Sequence, residues 1–316
     1  MDRYALLAEV TRSGFTESRH FGSLVGLNAR GEVSVALGDV GAAVLPRSTS
    51  KPLQAAGSLA AGARVAEERL AIAAGSHTGE DRHVAAVLRV LADAGLTADA
   101  LQCPPSWPED EPTMAALIRA GAGPARTRHN CSGTHAAMLS ACVASGWSTN
   151  DYLAPEHPLQ QRIRETMERL AGERVTHVAV DGCGAPTLAL TLTGLARAMR
   201  AIAIAGDDSP ESAVATAMRA HPDFVGGTGH PNTELMLAIP GVIAKGGAEG
   251  VFAVVTPDGY AVAMKVVDGS ARACTQIALS ALSALGVDTT LADALATLPV
   301  LGGGRPVGVG RASLTI

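Results

Sequence analysis

Strand-like segments at both ends of the chain, an alanine-rich helical middle, and no repeat or linker between them predict one α/β (α+β) domain over residues 1–316. The expected framework is an antiparallel sheet built from N- and C-terminal strands and flanked by helices. A chain of 316 residues is long enough to bury a substantial core. Hydrophobic residues make up 47% and charged residues 17%, a globular rather than a disordered balance.

The elements follow from local pattern. Residues 4–10 are mostly apolar and read as a first strand, separated from a second at 21–27 by the polar turn Arg12-Ser13-Gly14. Asn28-Ala29-Arg30-Gly31 leads into a third strand at 33–37, so the last two read as a hairpin. From Lys51 the pattern turns helical to about residue 96, and again near 113–120; Leu159, Ile163, Met167 and Leu170 share one helical face. A strand-like run at 175–180 enters Asp181-Gly182-Cys183-Gly184, and a helix is expected over about 187–205. Strands at 251–255 and 260–267 flank Thr256-Pro257-Asp258-Gly259, with a helix to follow at about 270–285. The glycine-rich stretch 302–310 reads as a flexible tail or a last edge strand.

Charge and composition exclude several classes. Twenty-five basic residues against 30 acidic leave a net charge of −5. No clustered positive footprint marks a nucleic-acid or anionic-membrane partner. No uninterrupted apolar run reaches the roughly 18 residues of a membrane span. The first nine residues lack the apolar core and small-residue cleavage site of a signal peptide, so the expected location is cytoplasmic. Cys103, Cys131, Cys142, Cys183 and Cys274 are odd in number and widely spread, which suits a reducing compartment and not a disulfide framework. Aromatic residues, at 3%, are too few for a base-stacking or carbohydrate platform. Only Lys51, Lys245 and Lys265 are lysines. A lysine kept in an arginine-rich chain is a candidate for what arginine cannot do, which is lose its proton near neutral pH.

Several polar segments fit chemistry. Arg47-Ser48-Thr49-Ser50-Lys51 holds a Ser-x-x-Lys at a helix start, where positions i and i+3 share a face and a neutral lysine can take a serine proton. A solvated helix start capped by Ser48 or Ser50 gives the same string. Ser76-His77-Thr78-Gly79-Glu80 fits either a site or a helix junction with a capping hydroxyl. His129-Asn130-Cys131-Ser132-Gly133-Thr134-His135 is denser and reads as a functional loop before a helix near Ala136. Asp181-Gly182-Cys183-Gly184 follows a strand, where glycine lets the backbone approach a ligand. Cys131 and Cys183 with His129 or His135 would make a metal site, although no metal-ligand spacing supports it. Lys245, before glycines and a strand, fits the second lysine that Ser-x-x-Lys enzymes carry on an edge strand. No phosphate loop is present.

Taken in order, these segments, together with Glu17-Ser18-Arg19-His20 and Gly227-Thr228-Gly229, resemble the Rhizobium etli-type (class 3) L-asparaginases of the L-asparaginase II family over nearly the whole chain. The resemblance implies a serine β-lactamase/glutaminase-like fold, a homodimer, and hydrolysis of L-asparagine to L-aspartate and ammonia. It implies Ser48 as nucleophile with Lys51 as its base, and Ser76 with Lys245 as a second Ser–Lys pair. Arg47, His77, Asn130, Cys131, His135, Asp181 and Cys183 would then face the substrate, with Asp181 and Arg47 candidates for its α-amino and α-carboxylate groups. Family members hold zinc through two cysteines and a lysine, but here the lysine position is Thr134. Cys131 and Cys183 alone imply zinc bound weakly or not at all. The competing readings are a glutaminase, another β-lactamase-like amide hydrolase, or an amino-acid-binding homologue with weakened catalysis.

Overall fold

A computed structural model describes residues 3–316. Ser13 and Gly14, both at positive φ, close the turn between β1 (Ala5–Arg12) and β2 (Phe15–Leu27). β2 runs 13 residues, so the polar stretch 17–20 belongs to the same strand as the apolar run behind it. The antiparallel pairing explains that stretch: Arg19 reaches Glu9 across the strands, on a solvated face. The second half of β2 pairs with β3 (Val33–Leu37) as the hairpin pattern predicts.

After β4 (Ala43–Val44) and a 3₁₀ turn over Arg47–Ser50 come α1 (Lys51–Ala60), α2 (Glu67–Ala73), α3 (Asp81–Asp93), α4 (Glu111–Arg119), α5 (Ser132–Ala144) and α6 (Pro158–Ala171). The alanine-rich stretch from 51 to 96 is thus three helices. Its breaks fall where Gly62 turns the chain and where residues 76–78 run extended to meet Val225 and Gly226. α5 starts at Ser132 rather than near Ala136, because His135 N–H already bonds the Cys131 carbonyl. Ser132, Thr134 and His135 therefore sit inside a helix and not in a loop.

β5 (Val178–Val180) and β6 (Pro186–Leu188) form a small ribbon around the turn at 181–184, and β7 (Leu190–Thr191) pairs with β4. The helix expected from residue 187 starts later, as α7 (Leu192–Ala203), where the Thr191 hydroxyl accepts the Gly194 N–H and caps it. Three helices that open on proline follow: α8 (Pro210–Ala220), the short α9 (Pro222–Val225) and α10 (Pro231–Ala238). A missing N–H costs nothing in a first turn. β8 (Ile243–Gly247), β9 (Val251–Val255), β10 (Ala261–Val266), α11 (Cys274–Ala284), β11 (Leu298–Gly302) and β12 (Arg305–Ala312) complete the chain.

The main sheet runs β11-β12-β1-β2-β10-β9-β8, with β3 beside β2. It joins both termini as expected. The glycine-rich end is neither tail nor edge: β12 lies between β11 and β1, and β11 takes the edge. Every residue of β9 is buried. Because successive side chains alternate between faces, such a strand must be covered on both sides, and α7 and α11 both pack against it. The opposite edge is β8, and the polar centre of the molecule gathers there. Among the described residues no helix is long and apolar enough to cross a membrane.

Candidate active site

The 3₁₀ turn Arg47–Ser50 is held against the β8 edge at close range. A Cβ on Gly247 would lie 2.8 Å from the Pro46 carbonyl and 2.7 Å from the Thr49 hydroxyl, so only glycine lets the strand approach the turn. Arg47 adopts φ +51°, unfavourable for a side chain of its size, and its Nε is tied to Asp181 Oδ1 at 2.7 Å. Neither Ser48 nor Ser50 caps α1 with its side chain; the Ser50 hydroxyl donates to the Arg47 carbonyl. Lys51 is not solvated at all. It is 3% exposed, and its amine donates to the carbonyls of Gly75 at 2.7 Å and Asn130 at 3.1 Å and lies 3.0 Å from Ser76 Oγ.

Ser76 is delivered by the extended segment after α2. Its N–H bonds the Val225 carbonyl, and that of Thr78 bonds the Gly226 carbonyl. The approach is again too tight for a side chain: a Cβ on Gly75 would stand 2.7 Å from the Phe224 carbonyl. On its other side Ser76 Oγ meets Lys245 Nζ, also at 3.0 Å. Lys245 lies on β8, fully buried. Burial, and after it the charge of Lys51, pushes its amine well below its usual range. One hydroxyl thus sits between two amines, one of which favours its neutral form.

Ser76 borders a pocket of about 240 Å³, a size suited to a small amino acid, whose wall also includes Ser48 and Asn130, while the two lysines lie behind that serine. Ser48 is half-buried and makes no hydrogen bond to Lys51, whose contacts all lie toward Ser76. Glu109, His230 and Asn232 border the same pocket and had no sequence signal. They lie outside every polar motif, and only the fold brings them in. Glu109 accepts from the Asn130 side chain at 2.7 Å. His230 accepts the Asn232 N–H through Nδ1 at 3.1 Å, which places its proton on Nε2, and burial holds it at about 4. A larger cavity of about 350 Å³ includes Arg47 and Lys265 but neither serine.

The remaining candidates fall nearby with other partners. His77 is buried. Its Nδ1 accepts the Gly79 N–H, so Nε2 donates to Ser132 Oγ at 2.9 Å, and that hydroxyl donates to the Thr127 carbonyl. The residue ties two segments together and does not border the pocket. Glu80 serves as the cap itself, in a reciprocal box with His83, and holds Thr228 through its backbone N–H at 2.8 Å. His135 is fully buried against Tyr152, with Nδ1 2.6 Å from the phenol oxygen, and burial holds it at about 4.

Cys131 and Cys183 are both buried and lie against each other, and the Cys131 thiol donates to Asn130 Oδ1 at 3.1 Å. The contact with Cys183 draws the Cys131 thiol well below its usual range. In turn Cys183 is pushed far up, by that contact first and by burial second. The Thr134 hydroxyl turns away from them and donates to the Ala73 carbonyl at 2.8 Å. Among the described residues no three His, Cys, Asp or Glu side chains converge as a metal-binding group. Two thiols without a third donor are a poor match for tetrahedral zinc.

Residues 8–312 match the family model for L-asparaginase II. The chain belongs to the L-asparaginase II family. That assignment agrees with the order of motifs along the sequence and spans the sheet strands from both termini. Among curated proteins none matches the chain by sequence. Solved structures similar to this family member include Mglu in its native form, with 15% identity and a TM-score of 0.45, covering 85% of this chain and 62% of that one. A β-lactamase from Mycobacterium bovis shows 15% identity and a TM-score of 0.45, covering 84% of this chain and 95% of that one.

Proposed function

We propose that this chain hydrolyses the side-chain amide of L-asparagine to L-aspartate and ammonia, as a Rhizobium etli-type member of its family. The observation that carries the reading is Ser76 Oγ held 3.0 Å from both Lys51 and Lys245, in the wall of a pocket that also presents Ser48. The hydroxyl of Ser76 is engaged by two amines and suits a proton relay; that of Ser48 is free to meet a substrate. Ser48 Oγ attacks the amide carbon, so a C–O bond forms as the C–N bond breaks. The Ser48 proton passes by way of Lys51 and Ser76 to the departing nitrogen, which leaves as ammonia. Water then cleaves the ester, frees aspartate and restores Ser48. The Ser48–Lys51 hydrogen bond that begins this sequence forms on substrate binding, since catalytic hydrogen bonds are commonly long or unmade before the substrate arrives. The Arg47–Asp181 pair offers a zwitterionic amino acid one partner for each charge.

No step is routed through a metal. With Thr134 committed to Ala73, the two thiols bind zinc weakly or not at all. A homodimer in a reducing cytoplasm completes the proposal, in keeping with the family resemblance and five buried free thiols.

The test is an ammonia-coupled assay with L-asparagine and L-glutamine, with and without added zinc, joined to mass spectrometry of the quenched enzyme. Turnover of asparagine without zinc, and an aspartyl adduct on the peptide carrying Ser48, is the expected result. No ammonia from asparagine, or an adduct on Ser76 instead, would overturn the substrate or the nucleophile respectively.

A further inference from the structure

Asn232 is 1% exposed and opens the first turn of α10 at the pocket wall. Its Oδ1 accepts the Gly246 N–H of β8 at 2.8 Å, which fixes the orientation of the amide, since the opposite one would set two donors against each other. Nδ2 is thereby fixed as well. It is buried and has no hydrogen-bond partner, and an unmet donor of this kind is costly to leave buried. The neighbouring groups already have partners: the Gly246 carbonyl accepts from Lys245, and Lys245 meets Ser76. One preoriented, unused N–H₂ thus remains on a residue that borders the same pocket as Ser48 and Ser76.

Resting on the function proposed above, we propose that Asn232 Nδ2 donates to the carbonyl oxygen of the substrate's carboxamide and stabilises the negative charge that grows there as Ser48 attacks. A fixed amide donor on a developing oxyanion acts mainly on the transition state. Its loss therefore appears in kcat more than in KM.

Asn232→Asp keeps the acceptor for Gly246 and removes the donor, so it isolates the role. It also sets a carboxylate near Lys245, which favours the charged amine and shifts the rise of activity to higher pH. The comparison is therefore made on the high-pH plateau of the kcat profile, where Lys245 is neutral in both proteins. A plateau kcat about 100-fold below the parent, with KM within a few-fold, is expected. Recovery of plateau kcat to within threefold would mean that Asn232 acts only through the charge of Lys245, and overturns the assignment. If the aspartate variant does not fold, Asn232→Ala takes its place: the same loss in kcat supports the role, and a loss carried by KM alone overturns it. A parent inactive on asparagine defeats the function and this role together, whereas an active parent with an unaffected variant defeats this role alone.

Discussion

Two polar corners lie within reach of one another, and they are finished to different degrees. At the amine–hydroxyl corner, every partner is supplied from a separate element: Lys51 from α1, Ser76 from the segment after α2, Lys245 from β8. At the thiol corner, Cys131 meets Cys183 and the Asn130 side-chain oxygen, and the Thr134 hydroxyl beside them is bonded elsewhere. A buried amine is expensive unless its hydrogen bonds are met, so a chain that keeps two of them at one hydroxyl keeps them for a use. The Cys183 thiol is under no such demand, because a buried neutral cysteine behaves as a small apolar residue. On the function proposed above, hydrolysis belongs to the first corner and the second shapes its surroundings.

Lys245→Met breaks that contrast most directly. The substitution keeps the length of the buried side chain and removes the amine from Ser76. We expect kcat to fall by about 10²–10⁴-fold, with a melting temperature no lower than the parent's, since one buried ionisable group is gone. A variant within threefold of parental kcat would move the chemistry away from this corner. Lys265 is the internal control: it donates only to the Glu249 and Val266 carbonyls, so Lys265→Met should leave kcat nearly unchanged.

Two imidazoles near these corners share one property, the partly buried His230 beside the amines and the fully buried His135 one turn beyond Cys131. Burial holds both at about 4, below the ordinary value near 6.5. Between those values the unfolded chain binds more protons than the folded one, so stability is full above about pH 6.5 and falls as pH drops toward 4. The loss is up to about 3 kcal/mol per imidazole. Urea unfolding from pH 7.5 to 4.5 should show it. His135→Gln and His230→Gln should each flatten the curve in part, and the larger flattening identifies the corner that gives way first. A stability curve flat across this range would contradict the buried, neutral state of both rings.

Much of this was legible in the sequence, for reasons that differ by element. Alternation and turn chemistry located β3, β9 and β10 closely, because those strands carry apolar runs bounded by glycine and asparagine. β8 escaped notice. Its second half, Lys245-Gly246-Gly247, reads as a loop, yet Gly247 is there so that the strand can lie against Pro46 and Thr49. The start of α5 was misplaced because its first turn is polar, and those side chains serve packing: Ser132 and Thr134 bond carbonyls of neighbouring segments. Lys51, Ser76 and Lys245 stood out through short motifs and the scarcity of lysine. Glu109, His230 and Asn232 each stand alone in the sequence, and a lone polar residue has no local signature of lining a pocket.

The smallest effects are expected at the thiol corner, where they test whether it is only unfinished. Cys183→Ala removes the contact that draws down the Cys131 thiol but leaves Ser76 and both lysines in place. Asparagine turnover should fall less than about tenfold, in contrast to Lys245→Met, and added zinc should not change it. Thr134→Lys restores the amine that the family pattern places after Cys-Ser-Gly, and it must leave the Ala73 carbonyl to reach the thiols. Competitive titration with a chromophoric zinc chelator should show affinity at least tenfold above the parent, because a third donor completes all but the solvent position of a tetrahedral site. Unchanged affinity would mean that the Cys131–Cys183 pair, rather than residue 134, sets the limit. Tight zinc binding by the parent itself would remove the contrast between the two corners altogether.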